Sequence, residues 1–430
     1  MARISRWVLV GLVALALICA PVPVKGQGIS VTILCDPDFN NTDVVIPEPF
    51  PGVYYGTLSG YGFPPEPYRF VEVSAAGLQE RSAPAALAQM PQVLNPTLSS
   101  DGRYMAFRPL RDSDLVVWEI ATDTLATLTL PVEVAENLTW YAAEAHSYAQ
   151  KLIWIAPDRI LLQQLDENHP GLVRPLRQLE IAVEANPVRL RVVADRTMAY
   201  PDFPQPAHAR EKVLDTFSPK GSYLSVLHYA DTLIYGPLYL QIFDTNANDL
   251  VFDFPPEFSL HPRSLPYWSP DETLALIPIG RFDAAGGSQI RLSYLELRLG
   301  DGAVETNSLL EQAIVDTFGP RTTLDVLPPM WEPAGERIAF RIYRTDQGLR
   351  YIVLYAPQTQ ELTAICDMNE IGRSDLLKTF WSPDGRYVGY WEFGLVLAFD
   401  TQTGDVYRLP NEFAYFFVGW VPGPEASAAP

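Results

Sequence analysis

The stretch Trp381-Ser382-Pro383-Asp384-Gly385-Arg386-Tyr387-Val388-Gly389-Tyr390 decides the fold of this chain. Proline fixes the backbone φ angle, and an Asp-Gly pair supplies the conformations that a tight chain reversal needs. The aromatic and β-branched residues after the turn favour a strand that is buried between neighbouring sheets. The stretch therefore predicts a strand, a tight turn and a second strand.

The same pattern recurs along the chain. An aromatic residue precedes the turn in several copies, as Phe217, Trp268 and Trp331 show. The copies, each marked by its residue at the position of Asp384, are centred on Asp101, Asp158, Lys220, Asp271, Ala334, Asp384 and Gly423. Their spacing of roughly 40 to 60 residues is the size of one propeller repeat with insertions in its loops.

Each repeat has room for two more strands. After the copy at Asp384, two apolar runs at 395–400 and 406–409 flank the turn residues Thr403, Gly404 and Asp405. Four strands per repeat is the composition of a propeller blade. The chain is therefore predicted to be all-β, a β-propeller of about seven four-stranded blades over residues 95–424. A six-bladed ring, with the amino-terminal segment packed outside it, is the alternative.

The repeats resemble a known family. They are similar to the WD-type repeats in the propeller domain of the translocation protein TolB, and to the propellers that precede the hydrolase domain of prolyl oligopeptidase and dipeptidyl peptidase enzymes. The resemblance implies the architecture of residues 95–424 and is almost silent on function, because propellers host many unrelated activities. It stops at the propeller, since only a short tail follows the last repeat.

The ring is expected to close with strands from both ends of the chain. The last repeat offers one strand at 417–421, followed by a tail at 425–430 that is expected to be disordered. Its three missing strands are expected within the amino-terminal segment 27–94. The candidate strands there, each rich in β-branched or aromatic residues, are 29–34, 53–58 and 69–73. Terminal strand closure would remove the open edges of the sheet.

The amino terminus predicts export. Arg3 and Arg6 precede an apolar run at 7–20 and a small-residue cleavage site that ends at Gly26, which is the layout of a signal peptide at 1–26. The run is shorter than a membrane-spanning helix needs, so we expect cleavage, an extracytoplasmic location (secreted, periplasmic or cell-surface) and no membrane insertion afterwards. An uncleaved anchor is the alternative.

Two cysteines follow the leader, Cys35 and Cys366. Outside the cytoplasm, two thiols far apart in sequence form a structural bridge more often than a reactive site. Whether these two pair is left open by the sequence, because pairing depends on geometry. A bridge would tie the amino-terminal segment to a distant blade.

The chain is acidic. Its formal charge of −20 becomes −23 when the leader, with Arg3, Arg6 and Lys25, is removed. Such a charge argues against a nucleic-acid partner and suits a solvated surface that keeps an exported protein soluble and monomeric.

No motif for catalysis, a cofactor or a metal stands out. A Gly-x-Ser-x-Gly nucleophile turn is absent from the sequence, and the five histidines show no metal-ligand spacing. Residues 244–249 resemble the start of a calcium loop but lack its glycine, so a hairpin turn is expected there. A helical pattern at 307–318 predicts a surface helix that packs on the core. We predict no catalytic, cofactor-binding or metal-binding residue.

Aromatic residues outside the repeat are the predicted ligand-binding positions, since exposed aromatics stack on sugars and hold peptides. These candidates are Tyr54, Tyr55, Tyr61, Trp140, Tyr141 and Tyr148. Packing within blades and loops is the alternative role. The expected function is that of an exported, non-enzymatic propeller that binds a protein or glycan partner through one face of the ring. The alternative is an enzyme of lyase or glycosidase type with a site at the central channel.

Overall fold

The computed structural model describes residues 22–25, 28–35, 53–58, 69–74, 77–81, 93–109, 114–130, 152–165, 175–197, 211–229, 238–245, 247, 249–254, 259–260, 266–282, 290–299, 304–307, 309–324, 329–366, 378–392, 395–408 and 416–421. Within these residues most of the chain is β-strand, grouped into seven sheets.

Six sheets follow one another along the chain, and we name them blades 1 to 6. Blade 1 contains β6 (Val93–Leu98), β7 (Tyr104–Pro109), β8 (Asp114–Glu119) and β9 (Thr124–Thr129). Blade 2 contains β10 (Leu152–Ala156), β11 (Arg159–Leu165), β12 (Pro175–Glu184) and β13 (Arg189–Thr197). Blade 3 contains β14 (Glu211–Phe217), β15 (Tyr223–Tyr229), β16 (Leu238–Asp244) and β17 (Asp249–Asp253).

The next three blades contain interruptions and additions. Blade 4 contains β18 (Ser259–Leu260), β19 (Tyr267–Trp268), β20 (Leu274–Phe282), β21 (Ile290–Leu299) and β22 (Val304–Asn307). Blade 5 contains β23 (Thr322–Leu324), β24 (Met330–Trp331), β25 (Ile338–Arg344), β26 (Leu349–Ala356) and β27 (Glu361–Cys366), extended by β2 (Ser30–Ile33) and β1 (Val22–Lys25). Blade 6 contains β28 (Lys378–Trp381), β29 (Tyr387–Glu392), β30 (Leu395–Asp400) and β31 (Val406–Arg408).

The seventh sheet closes the ring. Blade 7 joins β32 (Phe416–Val421) to β3 (Val53–Leu58), β4 (Arg69–Ser74) and β5 (Gly77–Arg81). Strand β32 pairs antiparallel with β3, with Val421 opposite Val53. It also contacts β28 of blade 6 on one side and β6 of blade 1 on the other. The predicted all-β propeller with terminal strand closure is thereby confirmed.

One of the three strands proposed for the closing blade was wrong. Residues 29–34 do not enter blade 7, because β2 pairs in parallel with β27 of blade 5, with Ser30 opposite Glu361. Ile29 and Val31 are buried there in the core of blade 5. The fourth strand of blade 7 is β5 instead, which forms a local hairpin with β4, with Ser74 opposite Gly77.

A disulfide fixes the amino-terminal strand to blade 5. Cys35 bonds to Cys366 at the end of β27, with their Cα atoms 5.7 Å apart and a sequence separation of 331. The bridge that the sequence left open is therefore present. Strand β1, which lies inside the predicted leader, pairs antiparallel with the outer edge of β2.

The repeated turn is held together by its own side chains. The Ser382 hydroxyl accepts a hydrogen bond from the Tyr387 amide at 2.8 Å and donates to the Asp384 carboxylate at 2.5 Å. Gly385 has a φ of 69°, a left-handed conformation that favours glycine. The serine, aspartate and glycine of the motif therefore each meet a local geometric demand.

The repeat tryptophans connect neighbouring blades. The Trp381 indole N–H donates to the Met330 carbonyl of blade 5 at 2.9 Å. Trp154 and Trp331 make the same bond to the blade before them, at 3.1 and 3.2 Å. The Trp268 ring stacks on Tyr223 of blade 3, with centroids 5.1 Å apart. These residues stabilise the contact between blades, as expected of buried aromatic groups.

The predicted helix is α1 (Leu309–Phe318). Leu310, Ala313, Ile314 and Phe318 are buried in the core of blade 5 together with Ile29 and Val31, so core packing accounts for its apolar face. No helix among the described residues has both the length and the apolarity needed to cross a bilayer.

Candidate functional site

The aromatic positions predicted from the sequence are only partly described. Tyr54 and Tyr55 lie on β3, where their backbones oppose Trp420 and Gly419 of β32. Their side chains lie outside the described part of the structure, as do Tyr61, Trp140, Tyr141 and Tyr148. A role for these six residues in ligand binding stays a prediction.

The calcium-like segment is a hairpin turn. Asp244 lies opposite Asp249 at the end of the β16–β17 pair, and its carboxylate accepts a hydrogen bond from the Ala247 amide at 2.9 Å. Among the described residues, no group of histidine, cysteine, aspartate or glutamate side chains is placed to hold a metal ion.

A cleft of about 310 Å³ lies between blades 2 and 3. It lies beside two of the repeated turns, because Ala156 and Arg159 flank the β10–β11 turn and Lys220 belongs to the β14–β15 turn. Blade 2 supplies most of the lining. The lining residues are Ile155, Ala156, Arg159, Leu161, Gln178, Glu180, Ala194, Arg196 and Lys220.

The cleft follows from the alternation of residues in β12. Successive side chains of a strand point to opposite faces of the sheet. Leu179, Ile181 and Val183 pack in the core shared by blades 1 and 2, so Gln178 and Glu180 lie on the face towards blade 3. The chain thus places polar residues where blade meets blade.

Two other third strands are apolar on both faces at their centres. In β8 the neighbouring residues Val116 and Val117 are both fully buried, and in β26 Ile352 and Val353 are likewise buried. Strands β16 and β21 each bury one polar side chain, Gln241 and Glu296. Strand β12 departs from β8 and β26 at two positions. This departure was visible in the sequence as polar residues within an apolar strand, but only the adjacency of blades 2 and 3 gives it meaning.

Positive charge dominates the cleft, although the chain as a whole is acidic. Its lining contains three cationic residues and one carboxylate. On the sheet of blade 2, Arg196 lies opposite Gln178 across the β12–β13 pair, and Glu180 lies opposite Leu161 across the β11–β12 pair. A local excess of cationic side chains on an acidic protein favours an anionic ligand at this place.

Two hydrogen-bond donors in the cleft are unused. The Arg159 Nη1 and Gln178 Nε2 atoms are buried and have no hydrogen-bond partner among the described residues. Gln178 is only 3% exposed. A buried donor without an acceptor costs about 1 to 3 kcal/mol, and native proteins leave few such groups. Because neither atom has accessible surface, the two mark an incompletely satisfied contact between the blades and are not donors that an outside acceptor can reach.

The opposite wall of the cleft is fixed by backbone contacts. The Lys220 amide donates to the Glu272 carboxylate of blade 4, and the Lys220 ammonium donates to the Asp271 carbonyl at 3.3 Å. Gly221, with a φ of 81°, lies so close to Gln178 that an added Cβ atom would stand 3.0 Å from its amide oxygen. The turn of blade 3 is therefore held against the Gln178 side chain.

Buried carboxylates elsewhere on the turns are occupied by ion pairs. Glu119 accepts from Arg103 at 2.6 Å and from the Thr122 hydroxyl at 2.8 Å. Burial alone raises the pKa of Glu119, but the hydrogen bonds from Arg103 and Thr122 outweigh it and the pKa is lowered. Asp400 is paired with Arg386 at 2.8 Å in the same way. Glu119 and Asp400 therefore stabilise their turns through these ion pairs, whereas Arg159 Nη1 and Gln178 Nε2 have no partner among the described residues.

Comparisons with known proteins leave the family open. No protein-family model matches the chain, and no curated protein matches it. The periplasmic gluconolactonase PpgL of Pseudomonas aeruginosa is similar in structure, with a TM-score of 0.39, 13% identity, and coverage of 85% of this chain and 99% of that one.

Two archaeal proteins are similar as well. The acylaminoacyl peptidase of Pyrococcus horikoshii has a TM-score of 0.43 and 12% identity, with coverage of 84% of this chain and 50% of that one. The β-propeller domain of the trilobed protease of Pyrococcus furiosus has a TM-score of 0.36 and 12% identity, with coverage of 74% of this chain and 84% of that one. At these scores the likeness carries no argument about activity, and membership of the TolB-type or WD-like family stays a prediction.

Proposed function

We propose that the chain is an exported, non-enzymatic β-propeller that binds a protein or glycan partner through the face of the ring that carries the repeated turns. The contact is the cleft between blades 2 and 3. The observation that carries the proposal is the excess of cationic side chains in the lining of this cleft, Arg159, Arg196 and Lys220 against Glu180, on a chain that is acidic as a whole. Such a local excess of positive charge favours an anionic group of a protein or glycan partner.

The residues of the cleft favour binding over catalysis. Glu180 is the one carboxylate of this lining and no histidine belongs to it, so the lining offers no pair of carboxylates and no histidine-carboxylate pair for acid-base catalysis. The lining contains neither serine nor cysteine, and the Lys220 ammonium, which could act as a nucleophile, donates to the Asp271 carbonyl. Cationic and amide donors can still hold and orient a ligand.

Export is proposed on two grounds. The residues at 1–26 have the layout of a cleaved leader. The bond between Cys35 and Cys366 is of a kind that persists in oxidising compartments and is rare in the cytosol. Sequencing the amino terminus of the protein recovered from an export-competent host tests the first ground. A mature chain that begins at residue 27 is expected, and a retained leader would contradict it.

The binding proposal is tested with an array that displays neutral, amino and acidic glycans beside acidic and basic peptides. Wild type is compared with Arg159→Ala and with the control Arg191→Ala. Arg191 lies on the same blade, is 62% exposed and pairs with Glu184. We expect at least one array member that wild type and the control bind equally and Arg159→Ala binds at least tenfold more weakly.

The array also separates binding from turnover. Recovery of the bound glycan or peptide unchanged, as judged by mass spectrometry, supports a binding function. Chemical conversion of the bound member would overturn the non-enzymatic proposal. Equal binding by all three proteins, or no binding by wild type, would remove the cleft as the contact.

A further inference from the structure

We infer that the outer edge of β2 (Ser30–Ile33) is a site for strand addition, where the exported protein binds an extended segment of a partner polypeptide. The site lies on blade 5, so it is a second contact besides the cleft between blades 2 and 3. It rests on the proposed export in one respect, because removal of the leader takes away β1 (Val22–Lys25), the strand that occupies this edge.

The pairing of β1 shows how the edge holds a strand. Strand β1 runs antiparallel to β2, with Val24 opposite Val31 and Val22 opposite Ile33. All four residues of β1 belong to the predicted leader at 1–26, so cleavage after Gly26 leaves the edge without its strand. A strand edge with unpaired backbone groups is a template for pairing with another chain.

The backbone of β2 determines which groups this edge offers. The amides of Ser30 and Leu34 both donate inwards at 2.9 Å, to backbone carbonyls within 360–364. Successive residues of a strand direct their N–H and C=O groups to opposite edges. Val31 and Ile33 therefore direct theirs outwards, and an antiparallel occupant can exchange a pair of hydrogen bonds with each of them.

The sequence of β1 agrees with this assignment. Pro23 lies opposite Thr32, whose backbone groups point towards β27 by the same alternation. Proline has no N–H and is tolerated in a strand where no ladder bond is needed. An occupant of the edge therefore needs free amides at the positions of Val22 and Val24 and none at the position of Pro23.

The edge keeps its place when β1 is removed, because β2 is held from its other side. Strand β2 pairs in parallel with β27, and Ile29 and Val31 are buried in the core of blade 5. The disulfide from Cys35 to Cys366 fixes the end of the strand. A partner segment thus meets an edge that is already ordered, which lowers the entropic cost of binding.

The side chains of β2 set the sequence that fits the edge. Opposed residues of an antiparallel pair lie on the same face. Val31 and Ile33 pack on the core of blade 5, so apolar residues fit opposite them. On the other face Ser30 is exposed and lies beside the exposed Glu361, so a cation fits opposite Ser30. The expected segment reads apolar, any residue, apolar, cation.

Charge argues against a second copy of the chain as the occupant. Without the leader, which contains Arg3, Arg6 and Lys25, the formal charge of −20 becomes −23. Two chains that are both strongly acidic repel each other. A basic segment of a different protein is attracted instead, and we assign the edge to such a partner.

Fluorescence anisotropy with a labelled, end-blocked peptide of residues 21–26 tests the edge. The chain 27–430 should bind this peptide about tenfold more tightly than the chain 21–430, whose own β1 fills the edge, because the bound peptide gains several hydrogen bonds worth about 1 kcal/mol each. A scrambled peptide of the same composition is the control for charge, and it should bind as weakly as the peptide binds to 21–430. Equal binding by the two chains, no preference over the scrambled peptide, or no binding would overturn the inference.

Methylation of single peptide nitrogens locates the hydrogen bonds. A methyl group on the Val24 nitrogen removes the donor to the Val31 carbonyl and should weaken binding by about tenfold. A methyl group on the Lys25 nitrogen, which points away from β2, is the matched control and should leave binding unchanged. Equal effects of the two methyl groups would contradict the register and overturn the assignment.

Further outcomes separate this inference from the proposed function. Peptide binding should be unchanged in Arg159→Ala, and its loss there would move the peptide to the cleft and overturn the inference. A leader retained after export would refute the export proposal and this inference together, since β1 would keep the edge filled. With the leader cleaved, failure of 27–430 to bind the peptide refutes this inference alone. A dimer of 27–430 that sedimentation does not find for 21–430 would give the edge to a second copy and overturn the assignment to a partner.

Discussion

Replacing one repeat tryptophan with phenylalanine should cost the ring much more at Trp381 than at Trp268. The two residues occupy equivalent positions and are almost equally buried, at 7% and 6% exposure. They differ in the indole N–H. That of Trp381 donates to the Met330 carbonyl at 2.9 Å, whereas that of Trp268 is buried and has no partner among the described residues.

The magnitude follows from this difference. Both substitutions remove the same ring volume, so the packing loss is similar. Trp381→Phe also removes a hydrogen bond worth about 1 kcal/mol, and Trp268→Phe removes an unpartnered donor whose burial costs at least about 1 kcal/mol. The free energy of unfolding should therefore fall by about 2 kcal/mol more in Trp381→Phe than in Trp268→Phe.

Urea unfolding followed by circular dichroism measures this difference. With a slope of about 3 kcal/mol/M, the two midpoints should lie roughly 0.7 M apart. The alanine variants Trp381→Ala and Trp268→Ala serve as controls for packing, and each should cost about 3 to 5 kcal/mol. Equal midpoints for the two phenylalanine variants would refute the claim that the indole bond joins blades 5 and 6.

Three further perturbations test the frame of the ring. The pKa of Glu119 is lowered in the folded state. Its ion pair therefore stabilises the fold above the ordinary glutamate pKa of about 4.3, and this stabilisation is lost as the pH falls through the lowered pKa. In urea titrations Glu119→Gln should lose less stability than wild type between pH 7 and pH 3, and an equal loss in the two proteins would contradict the linkage. Replacing both Cys35 and Cys366 with serine should lower the free energy of unfolding by about 2 to 5 kcal/mol and abolish the effect of reductant on the melting temperature. A double variant as stable as wild type would show that the bridge contributes nothing to stability. Deleting 416–430 removes β32 and should expose the chain to proteolysis, while deleting 424–430 should have no effect, so equal protease resistance of the two truncations would contradict closure by β32.

The repeat could be predicted from sequence because its signals are local. The serine, proline, aspartate and glycine of a turn act within a few residues of one another, as the bonds of Ser382 show. Closure by 53–58 and 69–74 was also predictable, since a ring with one incomplete blade needs strands from elsewhere in the chain. Local turn and strand signals were therefore sufficient to predict the all-β propeller fold.

Strand β2 could not be placed from sequence. Its residues, like those of β3, are rich in β-branched or aromatic side chains, so propensity favours any sheet edge equally. Its position depends on contacts over more than 300 residues, namely the parallel pairing with Glu361 and the bond from Cys35 to Cys366. The two cysteines in the sequence are compatible with this connection but do not determine that β2 pairs with β27.

The cleft could not be predicted from the sequence for a similar reason. Aromatic residues in loops can be recognised as binding candidates one at a time, whereas Gln178 and Glu180 are ordinary polar residues in a strand. Their significance appears once β12 is seen to face blade 3, which brings Lys220 to the same lining.

A closed ring explains how the chain tolerates a polar seam. Blade 2 shares an apolar core with blade 1, and blade 3 shares one with blade 4, so each flank of the seam is held from its other side. Blade 7 joins the two ends of the chain and thereby closes the ring. Unpartnered donors on Arg159 and Gln178 cost a few kcal/mol, a sizeable part of the usual stability of a domain. The contacts on the other sides of blades 2 and 3 offset that cost and keep the two blades in place.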